Sequence, residues 1–591
     1  MFLKFDKQNI QLKYYSHLLL LFASICIIGC NKCSQTKTKP VVLVAKPERV
    51  NEEVSALLRE KLIASDTSKT LVIANDSLYA TKLIIEFYRK NNFKVVWTDK
   101  GKDIKQCDSL FRLIKNSEDF GLIANDYHFS KIDSLGKTVK DKATKKFDAV
   151  KISERELLLT DAFFTFAVHL NKGRLNVDSL NREWKGEKII IPLSPPSTGH
   201  GQAFSSRNPA PQIQRENINL VTLLNDALKQ NAILAVINSL EPKNKPYQAL
   251  KLSLKNFKFE FRDSDWDSLA MLESNPLTFN ERLKKRLIAS HDYAEIPENS
   301  DSIKLIKGIK NFQCRHNLTE DGRIGKLTFK ALQCTKQDDI HQIQMNMERW
   351  RMYEPPPEKQ FVWINIPKYE FRLIEEDTLV MKSRVIIGQP DHKTPLLKST
   401  IRYFLIYPYW NVPYSIATKE ILPILKVDPS YIRKKNFDVF DRGGNIIDTT
   451  IKWKKYNKNY FPWRLRQRMG EDNSLGVLKF NFENKYGVYL HDTNGHRLFK
   501  SEMRALSHGC VRLEKFFDFA QFLIRDDKRN YPLDSLKMDL LKEEQKYVYI
   551  KHPIPIYINY FTTEVDDNNE LYFFIDIYNR DERMLKALYR K

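Results

Sequence analysis

The chain has 591 residues, 96 Lys+Arg against 73 Asp+Glu, and a formal net charge of +23. With 42% hydrophobic and 29% charged residues, it is not a wholly disordered chain, a collagen-like fibre or a polytopic membrane protein. The length suits about four folding units. The excess charge needs an acidic partner or neighbourhood, and nucleic acid, anionic lipid and a carboxylate-rich polymer all qualify.

Lys4, Lys7 and Lys13 precede an apolar run over 18–29. A run of about a dozen residues is too short for a spanning helix, which needs ~20. It reads as the core of a secretory signal over 1–29. Ile27-Ile28-Gly29-Cys30 resembles a bacterial lipobox, which implies a lipid on Cys30 and attachment to a membrane, although Ile27 and Ile28 depart from the usual Leu and small residue. Cys26 would leave with the signal. Residues 30–65 follow as a tether. Export makes nucleic acid a poor partner.

Residues 66–299 read as a helical scaffold. Leu83, Ile84, Phe87 and Tyr88 recur at helical spacing and run into Phe93–Trp97. Further helices are expected over 108–117 and 154–170, with Gly173 as the cap of the second. The Pro-rich stretch 192–216 has no core of its own, and helical signals resume over 218–254. Residues 300–336 place Asp321-Gly-Arg-Ile-Gly325 between helical runs, as in a three-helix unit. They resemble the peptidoglycan-binding module of cell-wall enzymes. Pairing of Cys314 with Cys334 in this unit is left open.

From Phe361 the period changes to alternation, with strands expected over 361–366, 370–374, 379–387, 401–407, 477–482 and 486–491. A helix is expected over 421–436. Residues 536–591 read as a β-rich extension packing on the catalytic and scaffold domains. Pro553 and Pro555 favour an edge or a broken strand there. The fold expected is multidomain α+β.

The chemistry concentrates in Ser507-His-Gly-Cys-Val-Arg512, preceded by Tyr486–Asp492. A Cys is a useful nucleophile only as thiolate and needs a base or a positive field. Alternation in the 486–492 strand puts Tyr489 and His491 on one face, free to meet Cys510. Amides around Gly509 and Cys510 could hold an oxyanion, and a helix starting at Glu514 would place its N-terminus near the thiol. Arg512 suits a carboxylate, or else a salt bridge that holds the loop. His491, Asp492, His496, His508 and Cys510 fit no usual zinc spacing, so no metal is expected.

His491, fifteen intervening residues, then Ser-His-Gly-Cys resembles the signature of YkuD-type L,D-transpeptidases. Asn346–Trp350, Asn365–Tyr369, Val385–Gly388, Lys393–Pro395, Pro408–Pro413 and Gly470–Gly476 resemble the large Gram-negative class of that family, which carries a scaffold domain. The resemblance implies a mainly-β catalytic domain over 337–535 with a helical cap at about 421–468. It makes Cys510 the nucleophile and His491 the base and acid, with the Asp492 carbonyl orienting the imidazole and His508 shaping the loop or the oxyanion region. Ser507, Arg512, Tyr489, Trp410 and Asn411 would line the cleft. The substrate implied is a peptidoglycan stem tetrapeptide as donor. Its D-Ala leaves, and a diamino-acid amine of a second stem resolves the thioester into a 3–3 cross-link. Water as acceptor would make the enzyme an L,D-carboxypeptidase, and a protein acceptor would make it a wall-attaching enzyme. No cofactor is implied, a monomer is expected, and the location is the cell envelope. A non-enzymatic wall-binding lipoprotein and a zinc hydrolase are the competing readings.

Overall fold

The computed structural model describes residues 41–65, 70–175, 218–260, 276–293, 300–447, 450–527 and 531–589. The expected signal, Cys26, Cys30 and the insert at 192–216 lie outside them. No helix among the described residues is long and apolar enough to cross a membrane.

Helix α1 (Pro47–Ile63) corrects the tether expected over 30–65. Val50, Val54, Leu58 and Leu62 recur every four residues and are fully buried, one apolar stripe on an otherwise charged helix. That stripe packs on α2 (Ala149–Lys172), the 24-residue helix at the centre of the scaffold. Asp148 caps α2 by accepting from Val150 and Lys151, and Gly173 closes it at φ +83. Inside, burial pushes the Glu156 carboxyl up to about 7. It accepts from the Val96 and Trp97 amides, which joins the apolar 93–97 segment to α2. Leu58→Ala should therefore destabilise the scaffold by about 3 kcal/mol, read as a lower thermal midpoint. A true tether would show no change.

A three-helix unit is present, but its bounds differ from those expected. Helices α3 (Pro276–Ala289), α4 (Asp301–Arg315) and α5 (Lys326–Leu332) share a core of Leu283, Leu287, Ile309, Phe312 and Leu332. The third helix thus precedes residue 300. The turn needs Gly322 at φ +71, where a Cβ would meet Ile306 at 2.8 Å. The buried Gln313 amide ties the turn down by donating to Asp321 and the Arg323 carbonyl. Cys314 and Cys334 are not joined in a disulfide, and Cys334 Sγ donates to the Lys330 carbonyl.

Helix α6 (Lys336–Met352) joins the halves and opens with a capping box of Thr335 and Asp338. Its buried polar residues face both ways. Glu348 accepts from the Leu175 amide at 2.9 Å, and Arg351 reaches the Phe120 carbonyl. On the other side, Asn346 donates to Thr562 at 2.7 Å. The polar motif Asn346–Trp350 is therefore an interdomain fastener.

The C-terminal half is built on a nine-stranded sheet. Its strands are β1 (Gln360–Asn365), β2 (Glu370–Glu375), β3 (Thr378–Gly388), β4 (Leu397–Ile406), β8 (Leu478–Phe482), β9 (Leu490–His491), β10 (Ala505–Ser507), β11 (Val511–Leu513) and β12 (Lys546–Asn559). Three short strands belong to the cap: β5 (Trp410–Asn411), β6 (Phe437–Phe440) and β7 (Arg464–Gln467). The order is β10-β3-β11-β9-β8-β4-β12-β1-β2, and β2 also pairs with β3, which curls the sheet back on itself. Helix α7 (Phe516–Ile524) packs Phe519 against Phe371 and Phe480 of its inner face.

Three expectations are corrected here. Residues 536–591 are not an extension laid on the domain, because β12 lies between β4 and β1 inside the sheet. Pro553 is accommodated by a break: Ile401 pairs with Ile554 and Tyr403 with Tyr549, so 550–553 bulge opposite Arg402 alone, while Pro555 stays in register opposite Thr400. The chain then ends in α8 (Arg580–Tyr589), which packs on α6. The strand expected over 486–491 shrinks to β9. Asn484 accepts from the Tyr486 and Val488 amides and donates to the Val488 carbonyl, so a side chain takes the ladder's place. The cap is broader than 421–468 and not purely helical. The helical turns Tyr414–Ile416, Ala417–Ile421 and Leu422–Val427 cover the sheet β5-β7-β6 around Leu425, Trp453 and Leu465.

Candidate active site

Strands β9 and β11 run parallel, with Leu490 opposite Val511 and His491 opposite Arg512. The Val511 amide donates to the Tyr489 carbonyl at 3.1 Å. This register brings Cys510, the residue before β11, beside Tyr489. Val488 and Leu490 point into the core, while the Tyr489 and His491 rings meet edge-on at 5.5 Å. The alternation inferred from sequence therefore holds although the strand is short.

The loop that carries Cys510 is held from within and from below. Ser507 Oγ donates to the Cys510 carbonyl at 2.6 Å and accepts from the Gly509 amide at 3.1 Å. Ser507 is buried and its hydroxyl is in use, so it fixes the loop and does not line the cleft. The Gly509 amide is likewise engaged, not free for an oxyanion. Gly509 itself sits at φ +111, a conformation that disfavours a side chain. Thr394 Oγ1 donates to the Gly509 carbonyl at 2.8 Å, and Tyr578 braces Thr394 from the C-terminal segment. Neither Thr394 nor Tyr578 was expected as part of this site. Lys393-Thr-Pro395 stood out in the sequence, whereas nothing local marks Tyr578.

Burial sets the resting charges. It pushes the Cys510 thiol up, opposed by Tyr489, Lys479 and Arg512. Burial pushes His491 down to about 3, helped by Arg512 and opposed by the Asp492 carbonyl. Its Nδ1 has no hydrogen bond of normal geometry. The resting pair is a neutral thiol beside a neutral imidazole. The helix that would have favoured thiolate is displaced: β11 intervenes and α7 begins only at Phe516. Asp492 turns its buried carboxyl to the Val477 amide at 3.0 Å and fills the space above Gly476, where a Cβ would lie 2.2 Å from it.

Two comparisons bear on this arrangement. Residues 359–529 match the family described as L,D-transpeptidase catalytic domain (YkuD), and residues 82–254 match a Scaffold domain. Residues 359–529 are thus similar to L,D-transpeptidase catalytic domains. It is 31% identical over 313 residues to a Haemophilus influenzae protein named "Putative L,D-transpeptidase". The match takes in 50% of this chain, and this chain spans 62% of that relative's length. A solved L,D-transpeptidase from Stackebrandtia nassauensis is 16% identical, with 48% of this chain set against 90% of that one at a TM-score of 0.19. That likeness is too distant to carry an argument.

Within the matched segment the remaining expected residues separate. His508 turns away from Cys510: its Nε2 lies 2.6 Å from Glu420 in the cap, and His392 is its ring neighbour at 5.1 Å. It links loop to cap and takes no orienting part at the thiol. Arg512 is half-buried with an unpartnered Nε and is not ion-paired to any described carboxylate, so the loop-holding salt bridge is absent there. Trp410 is half-buried at the cap edge and approaches the Tyr489 hydroxyl. Asn411 is exposed in β5 opposite Arg466. Among the described residues no three His, Cys, Asp or Glu side chains converge as a metal site.

Sequence reading also missed Lys479. It lies directly across the β8–β9 ladder from His491, and its ammonium sits 3.9 Å from the centre of the Tyr489 ring. In sequence it is one basic residue among many.

Proposed function

We propose that the protein is a peptidoglycan L,D-transpeptidase that forms 3–3 cross-links through a Cys510 thioester. The observation that carries the reading is the parallel β9–β11 register, which sets the Cys510 loop beside His491 within a matched catalytic domain. Cys510 attacks the carbonyl between the diamino acid and the terminal D-Ala of a stem tetrapeptide, its proton passing to His491. His491 returns that proton to the departing D-Ala amine. An amine from a second stem then displaces the thiolate, and its proton leaves through His491. The Cys510 amide is the loop donor left for the oxyanion, since Gly509 is engaged. The Asp492 carbonyl raises the basicity of His491. Arg512, lacking a protein carboxylate, receives one from the stem.

The test is a purified protein given a disaccharide tetrapeptide. Release of D-Ala with a 3–3 dimer supports the reading, D-Ala with only tripeptide monomer makes it an L,D-carboxypeptidase, and no D-Ala sinks it. The wall as substrate also suits the three-helix unit and the basic surface, which attracts carboxylates weakly and in a salt-sensitive way. Lipid attachment at Cys30 in the envelope is part of the same proposal. Loss of a lipid-sized mass in Cys30→Ser would support it, and an unchanged mass would refute it.

The cap decides between amine and water. Closing it over the thioester excludes water, and Glu420–His508 is its polar contact with the catalytic loop. Glu420→Ala should raise hydrolysis relative to cross-linking by up to about fivefold, the most an exposed contact of this kind is worth. Unchanged partitioning would show that the contact does not hold the cap.

A further inference from the structure

A Cys–His pair commonly makes its own thiolate by moving the proton to the imidazole, which then serves as counter-charge. Here that counter-charge is disfavoured, because His491 is fully enclosed and burial resists a proton on it. A second source of positive field would lower the cost of that proton transfer. The charged groups facing the thiol can be taken element by element. Strand β8 offers Lys479, and β11 offers Arg512. Strand β9 offers the neutral His491 and Tyr489. The loop's own His508 is turned to Glu420, and the Asp492 carboxyl is turned to the Val477 amide.

Of the two cations, Lys479 is the one seated on the Tyr489 ring. Residues directly opposite in an antiparallel ladder share a face, so Lys479 and His491 project together, as does Tyr489 two residues before His491. The Tyr489 ring holds the ammonium by a cation–π contact, and the parallel register puts Cys510 beside that same tyrosine. Lys479 is half-buried; burial pushes its pKa down, and a Cys510 thiolate would push it up.

We propose that Lys479 is a positioning residue whose ammonium, seated on the Tyr489 ring, stabilises the Cys510 thiolate as the thiol gives up its proton. Tyr489 is the platform of this arrangement more than a substrate contact. The proposal rests on Cys510 being the reactive thiol, and its test is independent of transfer activity.

The experiment is the pH dependence of Cys510 alkylation by iodoacetamide in the full chain. The thiolate forms the S–C bond and iodide leaves. Peptide mass spectrometry separates Cys510 from Cys107, Cys314 and Cys334. Losing one nearby opposite charge moves a pKa by about one unit or more. Lys479→Met should therefore shift the profile up by about one unit and slow alkylation at neutral pH about tenfold, while Lys479→Arg keeps the wild-type profile. Lys479→Gln provides the same reading if Met disturbs the packing, with near-ultraviolet circular dichroism reporting the fold. An unchanged profile in the folded neutral variant overturns the proposal. So does equal slowing in Lys479→Arg, which would mean shape matters and charge does not. Failure of the Cys510 reading itself would appear separately, as transfer activity surviving Cys510→Ala.

Discussion

Cys510→Ala should lower D-Ala release from a stem tetrapeptide by at least about 10⁴-fold, since removing a nucleophile takes away the covalent route altogether. The substitution should cost little stability. The hydrogen bonds that hold the loop run through Ser507 Oγ to backbone groups of Cys510 and Gly509 and through Thr394 to the Gly509 carbonyl, and none uses the sulfur. A folded, wall-binding and inactive variant is thus the expected product, assayed by D-Ala release and by pull-down on purified sacculi. A folded variant that keeps its activity would remove Cys510 from the chemistry. The wall-binding lipoprotein would then become the better reading.

His491→Ala should cost about 10²–10⁴-fold in transfer, the usual worth of a positioned acid–base group. Measured by the rate of D-Ala release across pH, the variant should regain part of its rate at high pH, where solvent takes the thiol proton. His491 also leaves a mark on stability. The unfolded chain protonates this imidazole below about pH 6.5, whereas the folded site resists it down to about 3. Through that window the unfolded state binds the extra proton, so the His491 contribution falls as pH falls. His491→Gln removes the group and should flatten that part of the thermal midpoint against pH. An identical slope in both proteins would mean that His491 is not held neutral by burial.

Much of this was legible in the chain, for identifiable reasons. The change of period at Phe361 separates helical and β halves because side chains in a half-buried strand alternate, and that division is observed. Cys510 and His491 were singled out by the resemblance of their spacing to the transpeptidase signature, and the parallel register of two short strands brings their segments together. What stayed hidden depends on contacts distant in sequence. The stripe Val50–Leu62 looked like tether because charged residues separate its apolar members. Strand β12 looked like an edge because prolines break ladders, and the bulge opposite Arg402 that absorbs Pro553 is a tertiary arrangement. Ser507 looked available to substrate until Gly509 and Cys510 were seen to use its hydroxyl. Lys479 and Tyr578 act from a neighbouring strand and from the C-terminal segment, and neither carries a local motif.

The most direct measurement is intact-protein mass spectrometry after brief incubation with a disaccharide tetrapeptide. A mass gain equal to the disaccharide tripeptide acyl group, localised to the Cys510 peptide and discharged by a second stem amine, is the predicted result. An adduct on another residue, or turnover with none on Cys510 under rapid quenching, would contradict the account.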